Sequence, residues 1–134
     1  MLLLKKTLKY VKEESVASDG YEYAWAAGFF DGEGCTSILK TERDKYWYIR
    51  MSISQKYPEL LRQFRDIVGY GKVYKAKSRE MWSWDCYKQQ DCIMVADCLW
   101  EHLGERKRTQ FTTALDAVEE FRNNITGKGG SCGV

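Results

Sequence analysis

Two carboxylates separated by one glycine stand in the first third of the chain, in the segment Asp31-Gly32-Glu33-Gly34. Magnesium and similar hard cations prefer oxygen ligands, commonly one or two carboxylates completed by water and phosphate oxygens. The glycines beside Glu33 allow backbone conformations that expose a carbonyl oxygen as a further ligand. A metal held in this way could activate water for phosphodiester hydrolysis. A solvated acidic turn would have the same sequence, so the segment by itself leaves both interpretations open.

The residues leading up to Gly32 predict a helix with an unusually bare face. Ala24, Ala27, Gly28 and Asp31 follow the i, i+3, i+4, i+7 spacing of a helix and therefore share one side. A glycine inside a helix costs roughly 1 kcal/mol relative to alanine, so its presence needs a reason. A face of small residues allows a second helix to approach at backbone level.

The elements that must position these residues alternate between helices and hairpins. Apolar periodicity and turn residues predict helices over 21–31, 58–69, 91–103 and 107–121, and strands over 35–41, 46–54, 72–76 and 81–87. The order α-β-β-α-β-β-α-α predicts an α+β fold with one four-stranded antiparallel sheet. Helices would cover one face of this sheet, and the other face would form a saddle able to bind DNA.

The strand over 46–54 shows the clearest alternation, with apolar residues on one side and polar, aromatic and basic residues on the other. Residues 40–79 contain eleven Lys and Arg against four Asp and Glu, although the net charge of the whole chain is only +2. A positive middle with negative flanks suits a polyanion bound on one face, and a twisted sheet with such a face can enter the DNA major groove. A solvated basic surface is the alternative.

The length of 134 residues fits one domain. We expect an N-terminal extension over 1–20, the domain proper over 21–123 and a flexible tail over 124–134. Five cysteines without a C-x-x-C pair favour free thiols over a zinc site. With neither a signal-like segment nor an apolar run of membrane-spanning length, we expect a soluble intracellular protein, in the cytoplasm or an organelle matrix.

The segment Ala26–Gly34 resembles the nine-residue motif that names the LAGLIDADG homing endonucleases. Gly32-Glu33 is a variant of the Ala-Asp step in that motif, and Ala26 stands where the motif begins with leucine. The family's order α-β-β-α-β-β-α agrees with the order predicted above apart from its additional last helix, so the resemblance covers about residues 20–122. Four positions match the motif outright: Ala27, Gly28, Asp31 and Gly34.

The resemblance implies an enzyme, a site-specific DNA endonuclease of the kind associated with intron homing. Glu33 would bind the divalent metal, normally Mg²⁺ with Mn²⁺ as another cation for the same site, and the Gly32 carbonyl would be a further ligand. No small-molecule cofactor and no membrane partner is expected. Asp31 is interpreted as a structural residue at the helix end rather than as a ligand.

Two further catalytic residues are implied by their positions. Gln55 falls where the family has a polar residue at the end of the second strand, although a polar strand end without a direct role explains it equally well. Lys107 falls where the family has a basic residue that organises the water network. Its neighbours Arg106 and Arg108 are also basic, which leaves this assignment open by one residue.

The chain contains one such motif and therefore half of a site. The resemblance implies a homodimer that contacts itself through Ala24, Ala27, Gly28 and Asp31 and that cuts both strands of a palindromic or near-palindromic target. Specificity is expected from outward-facing strand residues. The predicted DNA-contacting residues are Ser37, Leu39, Thr41, Tyr46, Tyr48, Arg50, Ser52, Lys72, Tyr74, Lys77, Arg79, Met81, Ser83 and Asp85.

Two other functions remain compatible with the sequence. A non-cutting relative of the same family, such as an RNA maturase or a DNA-binding regulator, would keep the fold and the basic face without needing a metal. An unrelated α+β interaction domain would explain the exposed aromatic residues without hydrolysis.

Overall fold

Four helices lie on one face of a four-stranded antiparallel sheet in the computed structural model, which describes residues 19–41 and 45–132 and the side chains of 20–41 and 45–124. This arrangement confirms the predicted α+β fold. In chain order the elements are α1 (Asp19–Glu33), β1 (Gly34–Thr41), β2 (Tyr46–Gln55), α2 (Glu59–Val68), β3 (Lys72–Lys75), β4 (Trp82–Cys86), α3 (Gln89–Leu99), a 3-10 turn (Trp100–His102) and α4 (Glu105–Cys132).

The sheet has the strand order β1-β2-β4-β3, so β2 and β4 are its inner strands. Ile53 pairs with Trp84 and Met51 with Cys86, and all four side chains are buried beneath the helices. The alternation predicted for β2 is therefore confirmed, because its apolar residues face the helices.

Aromatic packing joins α1, α2 and β4. The ring of Phe64 in α2 meets Trp84 edge-on, with centroids 4.8 Å apart, and stacks against Phe30 of α1 at 6.2 Å. These three side chains are among the largest fully buried ones. Such aromatic pairs add about 0.5–1.5 kcal/mol each beyond the area they bury, so this cluster ties the end of α1 to the centre of the sheet.

The chain turns sharply after α2. Gly69 adopts a left-handed conformation with φ of 81°. Its backbone N–H donates to the carbonyl oxygen of Arg65 at 2.7 Å, which ends the helix. This termination is a common helix C-cap and agrees with the predicted helix end.

The last helix is longer than predicted. Its predicted end at Phe121 is wrong, because α4 continues to Cys132 and into the segment 124–134 that was expected to be a flexible tail. Glycine disfavours a helix, but extending a helix that has already formed adds one hydrogen bond per residue, which can offset that cost. Residues 1–18 of the expected N-terminal extension, and residues 133–134, lie outside the described part. The proposed domain limits therefore stay predictions.

None of the described helices is both long and apolar enough to cross a membrane. Among the described cysteines, Cys86, Cys92 and Cys98 are buried free thiols and Cys35 is an exposed one.

Candidate functional site

Glu33 is the last residue of α1, and β1 begins immediately after it. Its side chain is exposed at this helix-to-strand junction, whereas Gly34 is buried. A Cβ atom on Gly34 would lie only 2.3 Å from the ring of Phe30, so no other residue fits there without moving the ring. The glycine therefore lets β1 start in contact with the core while Glu33 remains at the surface.

The carboxylate of Glu33 meets Gln55, the last residue of β2. Gln55 donates from Nε2 to Glu33 Oε1 at 2.8 Å. The strand register explains this contact, because Gly34 pairs with Ile53 and Gln55 therefore extends beyond the start of β1 towards the end of α1. An ionised carboxylate has two acceptor oxygens. This hydrogen bond engages Oε1 and leaves Oε2 available to another partner.

Lys107, in the first turn of α4, approaches the same junction. Its Nζ donates to the carbonyl oxygen of Gly34 at 2.5 Å. Arg108 is directed elsewhere, because its guanidinium donates to the carbonyl of Trp100 at 2.6 and 2.9 Å. The structure thus places Lys107, rather than Arg108, against the carbonyl of Gly34, the residue after Glu33, and so brings the three residues that the resemblance grouped to one junction.

Gln110 is a fourth residue of this cluster, which the sequence interpretation missed. It follows Lys107 by three residues, so both lie on the same side of α4. Its Oε1 accepts the backbone N–H of Thr36 at 2.9 Å. Two side chains of α4 therefore hold the backbone of β1 directly after Glu33. The three-residue spacing was the only sign in the sequence that Gln110 lies on the same side of the helix as Lys107.

Asp31 fastens α1 to the start of α4. The backbone N–H of Gly104 donates to both carboxylate oxygens of Asp31 at 3.0 Å. Gly104 directly precedes α4, and a Cβ there would lie 3.1 Å from Asp31 Oδ1. The Asp31 carboxylate is thus engaged within its own chain, in agreement with the structural role expected for it.

Replacing Asp31 with alanine is expected to lower the free energy of unfolding by about 1–3 kcal/mol, because it leaves the partly buried Gly104 N–H without its charged acceptor. Urea unfolding of the two proteins measures this difference. Asp31→Asn keeps an acceptor oxygen and serves as the control, with a smaller loss expected. An alanine variant as stable as the original chain would show that this contact does not contribute.

The exposed face of α1 differs in one respect from the predicted one. Ala27 is 0% exposed and packs in the core, so the prediction that it contacts a second copy is wrong. At 100° per residue, Ala27 lies about 60° around the helix from Ala24, far enough to be buried in the core of its own domain. The exposed small residues instead recur every four positions: Gly20, Ala24, Gly28 and Gly32.

The sheet face away from the helices carries most of the predicted DNA-contacting residues. Residues directly opposite each other in neighbouring strands point to the same side, and the register joins Ser37 to Arg50, Leu39 to Tyr48 and Ser52 to Asp85. We call this side the outer face. Its predicted members are Ser37, Leu39, Thr41, Tyr46, Tyr48, Arg50, Ser52, Lys72, Tyr74, Ser83 and Asp85. Lys77, Arg79 and Met81 lie in the loop between β3 and β4.

Asp85 differs from its neighbours on the outer face because its side chain is 0% exposed. Its Oδ1 accepts hydrogen bonds from Arg50 Nη2 at 3.1 Å and Nε at 3.4 Å, and its Oδ2 accepts from the hydroxyls of Tyr74 and Tyr87. This burial contradicts the prediction that Asp85 itself contacts DNA. The sequence pattern places a residue on a face, but it does not show which neighbours cover it.

Glu33 provides the oxygen chemistry that suits a hard cation, since it is exposed and has an oxygen that Gln55 does not use. Gly32 beside it is also exposed. In the part of the chain that the structure describes, no three His, Cys, Asp or Glu residues come together as metal ligands. Glu33 and the Gly32 carbonyl therefore fit a divalent cation that takes its other ligands from outside the described residues.

A family model described as LAGLIDADG endonuclease matches residues 26–116, well over half of the chain. A comparison of the sequence with curated proteins found no match.

Several solved structures share the fold. The homing endonuclease I-CvuI in complex with its target is 23% identical with a TM-score of 0.68, over 80% of this chain and 71% of that one. The archaeal intron-encoded homing endonuclease I-Vdi141I complexed with DNA is 19% identical with a TM-score of 0.66, over 78% and 71%. The meganuclease I-AabMI bound to uncleaved DNA is 24% identical with a TM-score of 0.63, over 78% of this chain but 38% of that one.

Proposed function

The chain belongs to the LAGLIDADG endonuclease family, and we propose that it is a site-specific, metal-dependent DNA endonuclease that acts as a homodimer. Its target would be palindromic or nearly so, and both strands would be cut. The observation that carries this proposal is the convergence of Glu33, Gln55 and Lys107 at one surface junction, although they come from three separate elements.

The three side chains have complementary properties. Gln55 orients the Glu33 carboxylate by occupying Oε1, so that Oε2 is held in a defined direction. Lys107 uses one of its three ammonium hydrogens on the Gly34 carbonyl. Its remaining hydrogens can donate to a phosphate oxygen or a water molecule, and its positive charge favours the approach of a phosphate beside the acidic Glu33.

Glu33 would hold the divalent cation, with the Gly32 carbonyl as a further ligand. Magnesium is the expected ion and manganese an alternative. When bound, such a cation activates water and stabilises the leaving oxygen of a phosphodiester. The crystals of I-CvuI contained its target with Ca or another target with Mg, which supports a divalent cation in this fold.

A homodimer accounts for the single Glu33. Two α1 helices packed along their exposed small residues would bring the two Glu33 side chains, each at the end of its helix, to the same end of the interface. A closed symmetric pair recognises a symmetric site, which is the reason for expecting a palindrome.

DNA would lie against the outer face of the sheet. Polar and aromatic side chains of the inner strands would meet the bases, and the basic loop residues Lys77 and Arg79 would meet phosphates. The excess of positive charge within residues 40–79 supports this placement.

The decisive experiment incubates the protein with a library of randomised palindromic DNA duplexes, first with Mg²⁺ and then with Ca²⁺ or a chelator. We expect double-strand cuts at a defined sequence with Mg²⁺ only. Tight, sequence-specific binding without cutting under any metal would instead support a regulator or maturase. No affinity for nucleic acid at low salt would overturn every nucleic-acid function considered.

A further inference from the structure

An arginine and a buried carboxylate are paired in the middle of the outer face. Asp85 is fully covered, whereas the Arg50 side chain is 31% exposed and lies above it. Asp85 itself is therefore inaccessible to a ligand on this face, and of the two residues only Arg50 can contact one.

The geometry leaves one particular edge of the arginine free. Nε and Nη2 of Arg50 both donate to Oδ1 of Asp85, so the carboxylate occupies the side of the guanidinium that carries these atoms. Within the described residues, Nη1 has no hydrogen-bond acceptor, and Nη2 carries a second hydrogen. The end of the guanidinium formed by Nη1 and Nη2 thus retains two parallel donors and offers no acceptor.

Three further contacts hold this arrangement in place. The hydroxyls of Tyr74 and Tyr87 donate to the other oxygen of Asp85, and the ring of Tyr87 lies 5.9 Å from the guanidinium carbon of Arg50. The hydrogen bond to Asp85, together with burial, raises the pKa of Tyr74 to about 12. Tyr74 therefore keeps its proton and remains a donor at neutral pH.

The position of Arg50 favours a base over a phosphate. Arg50 lies on β2 and Asp85 on β4, which are the inner strands of the sheet. A protein that reads DNA with a sheet places strands in the groove, where the base edges are exposed. The ligand that matches two parallel donors is a base with two adjacent acceptors, and in the major groove guanine offers O6 and N7 in that arrangement.

We propose that Arg50 reads one guanine in each half of the DNA target and that Asp85 is the positioning residue that holds Arg50 for this purpose. The inference rests on the proposed function, because it assumes that duplex DNA occupies the outer face.

The test measures binding, so that cleavage is not required. The original chain and its variants select duplexes from a randomised DNA pool in the presence of Ca²⁺, and the selected sequences are compared position by position. In the Arg50→Gln variant we expect the guanine preference at one position per half-site to fall on the order of 5- to 150-fold and to shift towards adenine, with the other positions unchanged.

Arg79→Gln is the matched control, because it removes the same charge from the loop between β3 and β4. We expect this variant to weaken binding to all sequences alike without altering any base preference. Asp85→Asn and Tyr74→Phe test positioning, and both should reduce the preference at the position that Arg50 controls and at no other. Tyr74→Phe loses only a hydroxyl and keeps the test informative if Asp85→Asn does not fold.

The outcomes separate the two hypotheses. If the original chain selects a sequence and Arg50→Gln selects the same one, or loses affinity evenly, the reading role is overturned while the endonuclease proposal stands. If a sequence is selected and Arg50 controls one position but no metal supports cutting, the endonuclease proposal fails and the reading role stands. If the original chain selects no sequence, both fail.

Discussion

Replacement of Glu33 by glutamine is expected to abolish DNA cleavage while leaving DNA binding intact. Glutamine has nearly the same shape and can still meet Gln55, but it has no negative charge with which to hold a divalent cation. A metal contributes several kcal/mol of charge stabilisation to phosphodiester hydrolysis, so the expected loss in cleavage rate is on the order of 10³-fold or more. Single-turnover cleavage of the selected target with Mg²⁺ measures this rate.

Glu120→Gln provides the control for this variant, because Glu120 is an exposed glutamate on α4 and undergoes the same isosteric change. It should cut at the original rate. Affinity for the target in Ca²⁺ should be similar for all three proteins, since the outer face is unchanged. Rapid cutting by Glu33→Gln would remove Glu33 from the catalytic residues.

The sequence correctly predicted those features of the fold that depend only on a local pattern of residues. The alternation in β2 correctly separated buried from outward residues, and the glycines after α2 marked its end. Gln55 and Lys107 were different, because no spacing in the sequence relates them to Glu33. Only the resemblance to a family grouped them, and their contacts depend on strand register and on where α4 docks.

Three features of the site could not be predicted from the sequence, because each depends on contacts between distant parts of the chain. Ala27 lies at the edge of the small-residue face of α1. Whether a residue at such an edge is buried or exposed depends on how the whole domain packs against the helix, and here Ala27 is buried. Asp85 lies on the predicted face but is covered by Arg50, Tyr74 and Tyr87, which come from different strands and the segment after β4. Gln110 accepts a backbone N–H from Thr36, 74 residues away, and its spacing from Lys107 indicates the side of α4 on which it lies but not this partner.

Replacement of Gly28 by leucine is expected to convert a dimer into a monomer and to eliminate cleavage with it. Gly28 is exposed, and among the described residues nothing beyond its chain neighbours and its own helix backbone lies within 4 Å of a Cβ built there, so the fold itself can accept a side chain. A second α1 helix approaching at backbone level could not accept it. Sedimentation of the original chain and of the variant measures the change in assembly.

Two further variants separate loss of the dimer from loss of the fold. Gly28→Ala should stabilise the folded monomer by up to about 1 kcal/mol, because alanine favours a helix, yet it should still weaken the dimer. Thr113→Leu introduces leucine at an exposed position on α4 and should leave assembly and cleavage unchanged. Opposite shifts in monomer stability and dimer affinity for Gly28→Ala cannot arise from misfolding, so they would locate the interface on α1. A Gly28→Leu monomer that still cuts both strands would contradict the two-copy site, because one chain contributes only one Glu33.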